Sequence, residues 1–253
     1  TLDFAVPTRP VRVQHATGSL WVLNSPGLEA VGLAGHPTGR LFGMDTLLRD
    51  RIGAPPPDLA GVGRALTAVG VTAVTDATPY ERLDDVALLA AAGLPQRVTV
   101  TGAPALDVGA VEGITVGPAK VVIADHDAPA IGALVEQVDA ARSHGRAVAF
   151  HCVSRLALVL ALAALEDAGP RVGDRIEHGA VIPEDAVERL RRLRLTVVTQ
   201  PGFVDARGDR YLHEVDDDDR PHLWRCGSLL RAGIPVLGSS DAPHGPVDPW
   251  RAM

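Results

Sequence analysis

The sequence predicts an α/β fold in which the strands of a parallel sheet alternate with helices. Three observations point to it. After residue 58, seven apolar strand-like runs alternate with stretches long enough for helices. The gaps between runs are crossover-sized, as parallel pairing requires and hairpins do not. Two runs, Ala147–His151 and Asp174–His178, flank one long apolar helix at Ser154–Ala168, and both end in histidine.

Composition narrows the class. With 253 residues and 46% hydrophobic content the chain can bury a sizeable core, and an α/β barrel commonly needs about this length. Aromatics are only 4%, so that core is expected to be built from Ala, Val and Leu. A net charge of −7 with no basic stripe argues against a nucleic-acid partner or an acidic membrane surface. Cys152 and Cys226 form neither a CxxC nor a disulfide framework, which suits a reducing, cytoplasmic setting. Leu156–Leu165, the most apolar run, falls well short of the roughly 20 residues of a membrane span, and no signal peptide is visible. The first residue is Thr1 rather than Met, so the natural start is expected upstream.

The elements follow in order. Val11–Gln14 reads as a short strand. Leu20–Val31 is apolar but broken by Pro26 and Gly27, and reads as a short or kinked helix. Gly35–Gly43 reads as turns and Leu47–Ile52 as a helical turn. Ala54-Pro-Pro-Pro57 is stiff and forms the best internal boundary, separating a segment 1–57 from a domain 58–253. Beyond it come a helix at Leu59–Val69, the strand Val71–Asp76, a helix at Arg82–Ala92 and the strand Arg97–Thr101. A Gly-rich connection then leads to the strand Lys120–Ala124. A helix at Ala128–His144 precedes the strand ending at His151. After the strand ending at His178, Pro183–Leu193 reads as a helix with proline in its first turn. The strand Leu195–Thr199, a long polar connection, a helix at Leu223–Ala232 and the strand Ile234–Ser239 complete the pattern, with no helix expected after the last strand. Seven strands are one short of a closed (β/α)8 barrel. An open nucleotide-binding sheet would carry G-x-G-x-x-G or G-x-x-x-x-G-K-[ST], and neither occurs.

Four strand ends carry ligand-type side chains: Lys120, His151, His178 and Asp241. Side chains alternate along a strand, so His151 is expected to share a face with Ala149, His178 with Ile176, and Asp241 with Ser239 and Leu237. Val148 and Phe150 would then face the helices. Lys120 reads equally as a buried functional amine or as a lysine whose head reaches solvent. Glu177 and Cys152 should point away from the histidine face, Glu177 toward a structural pair with Arg175 and Cys152 into packing. Arg155 and Gln200 follow strand ends, where substrate contacts occur. The run His213–Asp219 lacks the spacing and glycine of a calcium loop and reads as a solvated loop entering a helix.

The stretches Gly70-Val-Thr-Ala-Val-Thr-Asp76, Gly117-Pro-Ala-Lys120, Val148-Ala-Phe-His151, Arg175-Ile-Glu-His178 and Gly238-Ser-Ser-Asp-Ala-Pro243 resemble successive barrel strands of the amidohydrolase superfamily. The resemblance is strongest to its amidohydrolase-3 (YtcJ-like) branch. Arg9-Pro-Val-Arg-Val-Gln-His-Ala-Thr-Gly18 with Trp21-Val-Leu-Asn-Ser25 is similar to an insertion that branch carries before its second strand. The resemblance spans nearly the whole chain and rests on the order of its motifs, each of which is weak alone.

It implies a TIM-type (β/α)8 barrel with strands two to eight present, Lys120 on the fourth, His151 on the fifth, His178 on the sixth and Asp241 on the eighth. It also implies a carboxylated Lys120 and one or two divalent ions, zinc foremost, held by Lys120, His151, His178 and Asp241. The family's H-x-H pair occurs nowhere in the sequence. From that absence the first strand and the flanking β-sandwich are expected to be missing, with metal ligands missing too. The implied activity is metal-assisted hydrolysis of a non-peptide C–N bond in a small molecule, with Asp241 as proton shuttle. Deamination or decarboxylation by similar ligands, and a non-catalytic barrel, are the alternatives. His15 would sit in a lid segment or merely on the surface; near it the family often has a histidine where this chain has Ser19. A homo-oligomer is compatible with the sequence.

Overall fold

Short apolar runs broken by Pro and Gly give the first 57 residues antiparallel strands rather than βα units. In the computed structural model the described residues are 1–15, 18, 20–53, 57–79, 82–125 and 128–253. They form two compact units, Thr1–Pro57 and Asp58–Met253. Ser19 and the stiff Ala54-Pro55-Pro56 lie outside the described residues.

The first unit contains α1 (Leu2–Ala5), β1 (Arg12–Gln14), β2 (Leu20–Leu23), α2 (Ser25–Ala30), β3 (Arg40–Phe42) and α3 (Asp45–Ile52), with the strands antiparallel in the order β1-β2-β3. The expected helix over Leu20–Val31 is therefore half strand. Leu20-Trp-Val-Leu23 is β-branched and aromatic enough to pair on both edges, and Asn24 stops it. The buried Asn24 side chain accepts from Gly27 N–H, capping α2, and from Val11 N–H, while its amide donates to the carbonyls of Val6 and Arg9. The turn-like Gly35–Gly43 likewise contains β3, because Leu41 pairs opposite Trp21 and is buried with Leu23, Leu28, Val31 and Leu48.

The second unit runs α4 (Leu59–Ala68), β4 (Ala73–Asp76), α5 (Leu83–Ala91), β5 (Arg97–Val100), β6 (Ile114–Val116), β7 (Ala119–Val122), α6 (Ile131–Ser143), β8 (Val148–Cys152), α7 (Arg155–Ala168) and β9 (Arg175–His178). It continues through α8 (Glu184–Arg192), β10 (Thr196–Thr199), α9 (Pro201–Glu214), a 3-10 turn at Arg220–His222, α10 (Cys226–Arg231), β11 (Val236–Gly238) and α11 (Pro249–Ala252). All strand pairs here are parallel, in two sheets ordered β4-β5-β6 and β7-β8-β9-β10-β11.

The strand β6, hidden in the Gly-rich connection, was not expected. It and β7 are separated only by Gly117-Pro118. A Cβ on Gly117 would come within 2.8 Å of the Thr99 side chain, so this close approach to β5 admits only glycine. Hydrogen bonds bridge the break: Gly117 N–H donates to Val100 O at 2.8 Å, and Lys120 N–H to Gly102 O at 2.8 Å. The two sheets are thus joined in chain order.

One face of the larger sheet carries Val121, Phe150, Ile176, Val197 and Val236 in register. These pack with α6, α7 and α8 into the main core, in which Leu158, Leu162 and Leu165 of α7 are fully buried. Ser154 caps α7 by accepting from Ala157 N–H and donates its own hydroxyl to Asp125. Three further expectations are corrected. The polar connection after β10 holds α9, begun by Pro201 and able to present Phe203 to the interior although its surface is polar. Pro183 is the N-cap of α8 rather than its first helical residue. A short α11 follows the last strand and lies against α9, with Arg251 paired to Asp205 at 2.7 Å. Among the described residues no helix is long and apolar enough to cross a membrane.

Candidate active site

The face opposite the core carries the candidate site residues. Lys120 and Arg175 flank Ala149 in register, and one layer nearer the strand ends Val122, His151, Glu177 and Val198 stand side by side. Glu177 therefore does not face the helices, as simple alternation from His178 predicts; it shares the His151 face. Its expected partner is the observed one, with Arg175 Nε–H donating to Oε1 at 2.6 Å.

His178 is the reason alternation misleads. Its backbone is left-handed, φ +68°, and that of the next residue, Gly179, is too, at φ +52°. Such a conformation is uncommon for a side-chain-bearing residue and costs about 1–3 kcal/mol. It ends β9 abruptly and swings His178 away from the face of Ile176, which stays in the core. The imidazole is delivered to His151 instead: Nε2 of His178 lies 3.0 Å from Nδ1 of His151, with the rings edge to face. Asp241, beyond β11, is also left-handed at φ +50°, and its carboxylate stands 3.9 Å from Nδ1 of His178.

Burial sets the protonation states. Desolvation, reinforced by the nearby Lys120 charge, pushes His151 down to about 4. Desolvation again, then the neighbouring His151 and Lys120, pushes His178 down to about 4, against the pull of Asp241. Both rings are neutral near pH 7. Lys120 is only 5% exposed, so its head does not reach solvent. Burial lowers its pKa, while Glu177 and Asp241 oppose that change. Cys152 is buried in the core, and desolvation pushes its thiol up, away from the reactive thiolate.

The remaining expected contacts fall elsewhere. Gln200 is 2% exposed with both ends of its amide engaged: Oε1 accepts from Nδ1 of His178 at 3.1 Å, and Nε2 donates to Ser239 Oγ at 2.8 Å. It backs a histidine rather than facing open space. Arg155 is committed to Asp219, Nε donating at 2.8 Å. Asp217 pairs with Arg220 at 2.7 Å, and His213 belongs to α9. His15 is exposed in the first unit, just past β1. A cavity of about 450 Å³ lies at the opposite ends of the strands, lined by Asp107, Pro118, His144 and Arg146, where Arg146 is spent on the carbonyls of Gly117, Ala103 and Leu106.

Two neutral imidazole nitrogens facing one another at 3.0 Å are a donor pair of the type that holds a zinc-like divalent ion. Among the described residues no cluster of three or more His, Cys, Asp or Glu is set to hold a metal, so the pair with Lys120 and Asp241 around it is what those residues provide.

The Amidohydrolase family pattern matches residues 1–253. The chain belongs to the amidohydrolase family. YtcJ of Bacillus subtilis (strain 168), a relative that carries the amidohydrolase name, is 24% identical over 98% of this chain and 58% of its own length. Uncharacterized metal-dependent hydrolases of Pyrococcus furiosus and Pyrococcus horikoshii share the fold of this amidohydrolase-family chain, each at a TM-score of 0.73, with 21% and 22% identity. They are matched over 99% and 98% of this chain and over 62% and 60% of theirs. The chain thus spans about three fifths of the relatives it matches.

Proposed function

We propose that this protein is a metal-dependent hydrolase of a non-peptide C–N bond in a small molecule, built on a TIM-type barrel whose second to eighth strands are β4, β5, the broken strand β6–β7, β8, β9, β10 and β11. The observation that carries the reading is the His151–His178 pair, delivered by a left-handed backbone at a strand end and held neutral by burial. The continuous parallel order and the hydrogen bonds that bridge Gly117-Pro118 support the barrel. Family membership supports the hydrolase.

His151 through Nδ1 and His178 through Nε2 are the nitrogens that would hold the ion, with Lys120 and Asp241 completing its surroundings. When bound, the ion, for which we favour zinc, supplies Lewis acidity toward water and the scissile carbonyl. Lys120 suits carboxylation because burial favours its uncharged, nucleophilic amine. The Asp241 carboxylate, 31% exposed, takes a proton from the attacking water at one oxygen and returns it to the leaving nitrogen. We assign the first unit, with His15, to the insertion that precedes the second barrel strand.

The test is metal analysis of the protein as encoded, purified without chelator. Bound divalent metal approaching one ion per chain is expected, most of it lost in His178→Asn. A wild-type protein without stoichiometric metal would sink the hydrolase reading and leave a non-catalytic barrel.

A further inference from the structure

The Gln200 side chain has both ends committed, and the commitments run in one direction. Ser239 Oγ sits 3.3 Å from the carbonyl of Thr199, to which it donates its only proton. Toward Gln200 the hydroxyl can then only accept, so the amide NH2 must face Ser239, at 2.8 Å. The amide oxygen is thereby turned to Nδ1 of His178 at 3.1 Å, and an oxygen accepts but cannot donate. Nδ1 must carry the proton, Nε2 must be bare, and His151 Nδ1–H can donate to it.

The backbone makes this arrangement stiff. Gln200 is the N-cap of α9, where its carbonyl accepts from Phe203 N–H at 3.0 Å and its side chain makes no capping bond. The side chain is free for His178 because the helix does not use it. A neutral amide also orients the ring without the negative charge that a carboxylate would add.

We propose that Gln200 is a positioning residue that fixes His178 in the Nδ1–H tautomer, leaving Nε2 aimed at His151 and at whatever the pair binds. Its relevance to metal holding rests on the function proposed above; the tautomer itself does not.

The experiment labels histidine with 15N and reads the long-range 1H–15N spectrum of the metal-free full chain near pH 7.5, with His178 identified by its loss in His178→Asn. Wild type is expected to show pyrrole-type Nδ1 and pyridine-type Nε2 for His178. Gln200→Glu, which keeps an acceptor, should keep that pattern. Gln200→Met, which has none, should give mixed or reversed tautomers, and Ser239→Ala, which frees the amide to flip, should do so in part. Zn²⁺ affinity, measured against a competing chelator, should fall about 10- to 100-fold in Gln200→Met and recover in Gln200→Glu. An Nε2–H tautomer in wild type, or an unchanged spectrum in Gln200→Met, overturns the proposal. If Gln200→Met does not fold, an unchanged Ser239→Ala spectrum overturns it. Should the tautomers follow expectation while wild type binds no Zn²⁺, Gln200 keeps its role and the hydrolase reading falls.

Discussion

The two histidines are where single residues matter most, and their low pKa values give a signed prediction. Folded, each titrates at about 4; unfolded, a histidine titrates near 6.5. Between these values the unfolded chain binds more protons, so stability rises with pH across that window. The contribution is full above about pH 6.5 and disappears as pH falls toward about 4, on the order of a few kcal/mol for the pair. Urea unfolding of metal-free protein at pH 7.5 and pH 4.5 measures it. Replacing both histidines by Asn should flatten the difference, and an undiminished pH slope in that variant would locate the titration elsewhere. Which residues come together was legible at this scale; which way they point was not. Alternation placed His151 correctly because β8 is regular through Cys152. It failed at Glu177 and His178 because the left-handed backbone of His178, the last residue of β9, turns its side chain off the Ile176 face, and a positive φ at a non-glycine leaves no mark in the sequence.

At the scale of elements, β8 and β9 are held in register by Asp174. Its buried carboxylate accepts from Val148 N–H at 2.9 Å and from Arg171 N–H at 2.7 Å, with Arg142 of α6 at 3.5 Å. Asp174→Ala strands two donors and a partly buried guanidinium, and should cost about 3–5 kcal/mol in denaturant unfolding. Phe150, fully buried between the sheet and its helices, should cost about 3–5 kcal/mol when cut to alanine. A loss below about 1 kcal/mol for either would mean that the sheet relaxes around the gap. The helices of the second unit were readable because α4 through α8 carry apolar faces long enough to show a period. In the first unit β1 and α3 were readable, but β2 and β3, like β6, were not, since runs of three or four residues show no clear period and depend on partners distant in sequence. The α9 helix escaped because its exposed charges hide a short buried face around Phe203.

For the molecule as a whole, the parallel strands are ordered as the chain is, and β4 and β11 stand at the two ends of that order among the described residues. Leu237 of β11 is 54% exposed on the face opposite the core. An end strand with an exposed apolar side chain favours pairing with other chains. Sedimentation of the 253-residue chain should reveal concentration-dependent self-association, weakened by Leu237→Lys. A clean monomer at high concentration would mean that the edge is protected.

What the sequence by itself determined is the α/β class, seven of the parallel strands of the second unit in their order, and the placing of His151 and His178 where strands stop. These follow from local apolar periods and from chemistry placed where strands stop. Tertiary structure alone decided that Lys120 is buried among charges, that Glu177 joins the histidine face, and that Gln200 backs His178 while Arg155 is spent on Asp219. Each depends on backbone turns and on neighbours 20 or more residues away, and neither leaves a local pattern to read.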